Sequence, residues 1–145
     1  MLSAGLCHTL CINNLMETTM TFAPTNAVVW TEIRVRDLHK ATAFYAQLLQ
    51  NEMTITTDMG PQPMAVFSYA GDPGISGHLI EGTPAPAGTG NIVHLHVPDT
   101  LEATRARLIA AGGTVQSPDI EIPPGSYFYA ADPDGNTIGL FQYKD

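Results

Sequence analysis

The feature that most constrains this chain is that it nearly repeats itself. Asp132-Pro133-Asp134-Gly135-Asn136 precedes the apolar run Thr137-Ile138-Gly139-Leu140-Phe141. A proline followed by a glycine at that spacing makes a tight turn, and the run behind it reads as a buried strand. A weaker copy lies upstream, where Asp72-Pro73-Gly74 precedes Ile75-Ser76-Gly77-His78-Leu79-Ile80. Setting Gly74 on Gly135, 61 residues apart, places His78 on Gly139 and Leu79 on Leu140. Setting Val35 on Val97, 62 residues apart, also matches Asp37 with Asp99, Ala41 with Ala103 and Thr42 with Thr104. Two nearly equal offsets in register point to a duplicated unit.

The order of elements repeats as well. From Val28 to Val35 the residues alternate, with Val29, Thr31, Ile33 and Val35 on one face and Trp30, Glu32 and Arg34 on the other. Asp37 then caps a helix whose Leu38, Ala41, Phe44, Tyr45, Leu48 and Leu49 form an apolar stripe. Strands follow at Met53 to Thr57, Ala65 to Tyr69 and Ile75 to Ile80, separated by turns at Gly60-Pro61 and Gly71 to Gly74. The second half gives a strand from Asn91 to Val97, a helix from Thr100 to Ala111 stopped by Gly112-Gly113, and strands at Thr114 to Gln116, Ser126 to Ala131 and Thr137 to Tyr143. The expected fold is α+β, with two βαβββ modules at 27–81 and 91–145 joined by the Gly-, Pro- and Ala-rich linker 82–90.

Composition fits one such domain at 27–145, with residues 1–26 as an extension. A chain of 145 residues, 44% apolar, can bury one sizeable core. Its formal charge of −8 disfavours nucleic acid and anionic membrane as partners, since both need clustered positive charge. No apolar run approaches the roughly 18 residues of a membrane span. The extension lacks a basic start and a cleavage site, so it does not read as a secretory signal, and Met16 and Met20 are alternative starts. Cys7 and Cys11 flank His8 but no second ligand pair follows, so they read as free thiols in a reducing cytosol, and the expected location is cytoplasmic.

The Val-x-Asp strand end, the helix with Phe44-Tyr45, the Gly112-Gly113 stop and Asp132-Pro133-Asp134-Gly135 before an apolar strand together resemble the vicinal oxygen chelate superfamily. That superfamily includes glyoxalase I, extradiol dioxygenases, methylmalonyl-CoA epimerase and the bleomycin and fosfomycin resistance proteins. The resemblance covers about 27–143, and Trp30-Thr31-Glu32-Ile33 with 132–140 is most similar to a glyoxalase-related branch. It implies curved mixed sheets around a cavity, commonly completed by homodimerisation. It also implies metal ligands on the first and last strands of each module, which here are Trp30, His78, Ile92 and Gly139. Only His78 among them can bind a metal, whereas a catalytic ion usually takes about three protein ligands. A glyoxalase I centre is therefore not expected.

Other residues carry chemistry on the same strands. His94 and His96 share a face and align by the repeat with Glu32 and Arg34. Glu32, His78, His94 and His96 are groups that can hold a divalent metal at a displaced centre or serve as acid and base, with Glu32 and His94 the catalytic candidates. The plainer alternative is a pair of sheet histidines bonded to neighbours, with Glu32 paired to Arg34 or to a histidine. Trp30, Arg34, His78, His96, Tyr127 and Tyr129 are the candidate ligand contacts, Trp30 as a stacking wall; Tyr127 and Tyr129 are alternatively core. His39 reads as solvated, and Asp132 and Asp134 as turn formers. Two function classes follow: a lyase- or isomerase-like enzyme on a small carbonyl or carboxylate compound, or a protein that sequesters a drug without chemistry.

Overall fold

The computed structural model describes residues 21–145. Cys7, His8, Cys11, Met16, Met20 and most of the extension lie outside the described residues. The first module comprises β1 (Trp30–Val35), α1 (Leu38–Leu49), β2 (Thr54–Thr56), β3 (Met64–Val66) and β4 (Ser76–Glu81). The second comprises β5 (Val93–His96), α2 (Leu101–Ala111), β6 (Thr114–Val115), β7 (Ile120–Ile122), β8 (Gly125–Ala131) and β9 (Thr137–Tyr143). Their sheets run β1-β4-β3-β2 and β5-β9-β8-β6, with β7 added to β8. In both, the first strand lies parallel to the last and the remaining pairs are antiparallel. The expected βαβββ order is thus present twice, in two mixed sheets that do not join.

β7 is the addition. Ile120 pairs with Tyr127 and Ile122 with Gly125, but Pro118 and Pro123-Pro124 bracket this three-residue strand and disguise it in the sequence. β3 is shorter than expected and stops at Val66. Beyond it the chain is still held, because Asn51 exchanges two hydrogen bonds with the Ser68 backbone, at 2.8 and 2.9 Å.

Both helices lie on the apolar faces of their sheets, as the patterning requires. Asp37 caps α1 by accepting from the Lys40 amide at 3.0 Å. Tyr45, Leu48, Val35, Leu79, Leu108, Phe128, Ile138 and Leu140 form the fully buried centre; each large apolar side chain contributes about 1.5–3 kcal/mol on burial. The cap of α2 is Thr100, whose Oγ1 accepts from the Ala103 amide at 3.1 Å. Asp99, the repeat counterpart of Asp37, is instead gripped by Arg107 through bonds of 2.8 and 2.7 Å. The repeat therefore preserves that position but not its role. It preserves another relationship that the sequence reading missed. Glu81 accepts from the Leu38 amide and Gln142 from the Leu101 amide, each at 3.2 Å, so a side chain from the last strand of each module closes the start of its helix.

The two modules are tied by Asp132, which is 4% exposed. Its carboxylate accepts from the Asp134 and Asn136 amides at 2.9 Å, from Asn136 Nδ2 at 2.9 Å and from the Tyr45 hydroxyl at 2.7 Å. Asp134 in turn pairs with Arg36 at 3.2 Å, and Asn136 Nδ2 donates to the Arg34 carbonyl at 3.1 Å. The turn expected of Asp132 and Asp134 is present, and it also anchors α1 and the end of β1. With the helices filling one face of each sheet, the alternate residues face open on the other.

Candidate functional site

The open face of the first sheet carries Trp30, Glu32 and Arg34 on β1 with His78 on β4. Register makes them neighbours, since Trp30 pairs with Ser76, Glu32 with His78 and Arg34 with Ile80. The indole Nε1–H of Trp30 donates to His78 Nδ1 at 2.8 Å. His78 Nε2 lies 3.3 Å from Glu32 Oε2, and Arg34 Nε lies 3.8 Å from Glu32 Oε1. Tyr69, which no sequence signal singled out, stands edge-on to Trp30 at 6.2 Å. His78 is 8% exposed, whereas the Glu32 side chain is 47% exposed.

The protons of His78 follow from its donor. An indole N–H can only donate, so Nδ1 must present its lone pair, and the proton of the neutral ring is then on Nε2. That buried Nε2 has no aligned hydrogen-bond partner. The nearby Glu32 oxygen is within ion-pair distance but off the bond direction, so the contact counts as electrostatic only. Leaving a buried donor unpaired costs about 1–3 kcal/mol, which marks this atom as one that a ligand oxygen can satisfy.

The open face of the second sheet is aromatic. The His94 ring meets Tyr127 at 4.9 Å and Tyr129 at 5.9 Å, both edge to face. Phe128 between them is fully buried, so the alternation that left Tyr127 and Tyr129 open to a core reading resolves with both tyrosines on the open face. His96 packs on Tyr143, which packs on Phe141, which stacks on Tyr127. Phe141 and Tyr143 were missed in the sequence, although their strand alternation puts them on the Gly139 face. Burial pulls the His94 pKa below the ordinary histidine value. The Tyr129 hydrogen bond, then burial and the Tyr129 charge, raise that of Tyr127.

The two faces meet in part within the chain. A cleft of about 970 Å³ opens between the unpaired edges of β1 and β5, lined by Trp30, Tyr69, Ser76, His94, His96 and Tyr143. Glu32 and Arg34 border a separate recess of about 250 Å³ beside the linker. Glu32 and His78 stand together, whereas His94 and His96 line the cleft with Trp30 and, among the described residues, form no cluster with that pair. His39 is exposed on α1, as expected.

A metal centre of the superfamily type does not fit these residues. Trp30 is a donor, Ile92 is apolar, and the space a side chain would need at Gly139 is taken by the His94 ring. His78 Nε2 and Glu32 Oε2 have a separation that would suit two ligands of one ion, since bonds of about 2.1 Å at octahedral or tetrahedral angles span about 3.0–3.4 Å. The protonation is wrong, however. A histidine that binds metal through one nitrogen donates from the other, whereas His78 Nδ1 accepts. Nor, among the described residues, do three His, Cys, Asp or Glu side chains converge on one point, so the displaced centre built on Glu32, His78, His94 and His96 is not assembled within the chain.

Comparison with known proteins agrees with the architecture. No curated protein sequence matches the chain. A glyoxalase/bleomycin resistance protein from Albidiferax ferrireducens T118 superposes with a TM-score of 0.61 at 22% identity, over 82% of this chain and 100% of that one. The fosfomycin resistance protein FosX of Listeria monocytogenes superposes with a TM-score of 0.58 at 18% identity, over 85% and 96%. A glyoxalase-related enzyme from Fulvimarina pelagi gives 0.57 at 19%, over 81% and 88%. These likenesses carry the fold. The sequence model of one superfamily matches residues 27–140, a span that holds the first module, the second up to the middle of its last strand, and the Asp132 turn. A match over that much of the chain makes this protein a member of the Glyoxalase/Bleomycin resistance protein/Dioxygenase superfamily.

Proposed function

We propose that this protein is a lyase- or isomerase-like enzyme acting on a small carbonyl or carboxylate compound, and not a glyoxalase I. The observation that carries the reading is the placement of Glu32, half exposed at a recess, with its oxygens 3.3 Å from His78 and 3.8 Å from Arg34. A carboxylate so placed can take a proton from the carbon next to a carbonyl. The electron pair left behind passes to the carbonyl oxygen, and Arg34 offers that oxygen a positive charge. Returning the proton to a different position isomerises the substrate, and expelling a group from the neighbouring carbon makes the reaction a lyase. His94, Tyr127 and Tyr129 supply ring surface and hydroxyls from the other sheet, and His96 a further ligand contact.

The setting we infer is a cytoplasmic homodimer. Each chain leaves two functional faces open, and a twofold pair is the commonest way to cover such surfaces. Among the described residues no helix is long and apolar enough to cross a membrane, and the −8 charge speaks against nucleic acid.

The aromatic face of the second sheet favours one other reading, a drug-sequestering protein that does no chemistry. Proton exchange separates the two. The protein is incubated in heavy water with a panel of small keto acids, hydroxy acids and aldehydes, and deuterium incorporation is followed by NMR. An enzyme introduces deuterium next to a carbonyl, and Glu32→Gln abolishes it. Binding without exchange in any member of the panel would favour sequestration.

A further inference from the structure

We propose that Trp30 is a positioning residue that fixes His78 as the hydrogen-bond donor of this site and so closes it to metal. The inference rests on the reading that the open face of the first sheet meets the substrate, and it adds a role for two of its residues. His78 has two nitrogens and the fold has specified both. Nδ1 accepts the Trp30 indole N–H at 2.8 Å, and because the indole has no other polar function, the ring is held with its proton on Nε2. Nε2 is buried and lacks a hydrogen-bond partner, in a side chain that is itself 8% exposed.

The carboxylate beside Nε2 is that of Glu32, 3.3 Å away with about half of its side chain in solvent. Rotation of that carboxylate toward a substrate proton leaves the N–H free of its nearest anionic neighbour. The acceptor that fits is a carbonyl or carboxylate oxygen next to the carbon acid. His78 then binds the oxygen on which charge develops while Glu32 holds the proton, which gives neighbouring side chains complementary tasks. The same bond explains why a histidine at a metal-ligand position does not make a metal site. To bind through Nε2 the ring would have to carry its proton on Nδ1, where it would oppose the Trp30 N–H.

Nitrogen-15 NMR of His78 in the full-length wild-type protein reads the tautomer directly and needs no substrate. The expected result is a protonated Nε2 and an unprotonated Nδ1. In Trp30→Phe, which keeps an aromatic ring but loses the donor, the Nδ1–H form should appear. Zinc titrated into that variant should bind His78 about 10- to 100-fold more tightly than in wild type, and the gain should vanish in Trp30→Phe combined with His78→Ala. That double variant also accounts for any zinc held elsewhere on the chain. A wild-type ring protonated on Nδ1, or no gain in zinc affinity on removing the indole, would overturn the proposal. Because neither the NMR nor the zinc measurement depends on turnover, failure to find proton exchange would sink the enzymatic reading while leaving the Trp30–His78 assignment to stand or fall on its own data.

Discussion

His94 lies in the space that a side chain on Gly139 would occupy. The two residues are register partners on β5 and β9, and a Cβ built on Gly139 would collide with Nδ1, Cε1 and Cγ of the imidazole. The repeat sets Gly139 against His78, so at this paired position each module places an imidazole on the open face of its parallel strand pair, but from opposite strands. Gly139→Ala should force His94 off its tyrosine contacts and destabilise the fold by about 1–3 kcal/mol, the usual penalty for overpacking. Urea unfolding of this variant beside His94→Ala/Gly139→Ala tests it, because truncating His94 should remove most of the penalty.

Removing the Tyr45 hydroxyl should loosen the joint between the modules. That hydroxyl is buried, and burial first, then the Asp132 charge and hydrogen bond, push its pKa well above the ordinary tyrosine value, so it remains a donor. Tyr45→Phe leaves Asp132 Oδ2 with the Asn136 side-chain Nδ2 alone. A hydrogen bond to a charged group is worth about 1.5–3 kcal/mol, and the denaturation midpoint should fall accordingly with no change in the exposed faces.

Acid should weaken the fold in a window set by His94. Its pKa is lowered in the folded state by burial, so the unfolded chain takes up the proton first. The stability this residue contributes is present above about pH 6.5 and is lost as pH falls through the lower folded value. Thermal midpoints measured from about pH 8 to 5 should hold down to about pH 6.5 and decline below it, and His94→Gln should flatten the decline.

In solution the protein should be a homodimer at micromolar concentration. Tyr143, 58% exposed, and the rings beside it on the second sheet need a cover that one chain does not provide. Sedimentation should give twice the chain mass, and Tyr143→Asp should shift the population toward monomer.

Much of this architecture is legible in the sequence, because duplicated turns and alternating strands are local signals. The Trp30, Glu32 and Arg34 face follows from period-two alternation alone, and the capping of α1 follows from Asp37. What is not legible depends on partners far apart in the chain. That Asp99 bonds Arg107, two turns along α2, while Thr100 makes the cap is not written in the repeat that aligns Asp99 with Asp37. The indole bond to His78 joins residues 48 positions apart, and no spacing rule foretells a tryptophan donor at a position read as a vacant ligand. The separation of His94 and His96 from Glu32 has a similar origin, since the repeat aligns strands in sequence but does not say which faces meet in space.

The most direct test of the account is proton exchange before and after removal of metal. Wild-type protein and Glu32→Gln are dialysed against a strong chelator, checked by elemental analysis, and assayed for deuterium incorporation into the substrate that the panel identifies. The account predicts that stripped wild type retains its exchange rate and that Glu32→Gln loses it, by the roughly 100-fold or more that a positioned base contributes. Exchange that disappears on stripping and returns with one equivalent of a divalent ion would contradict it.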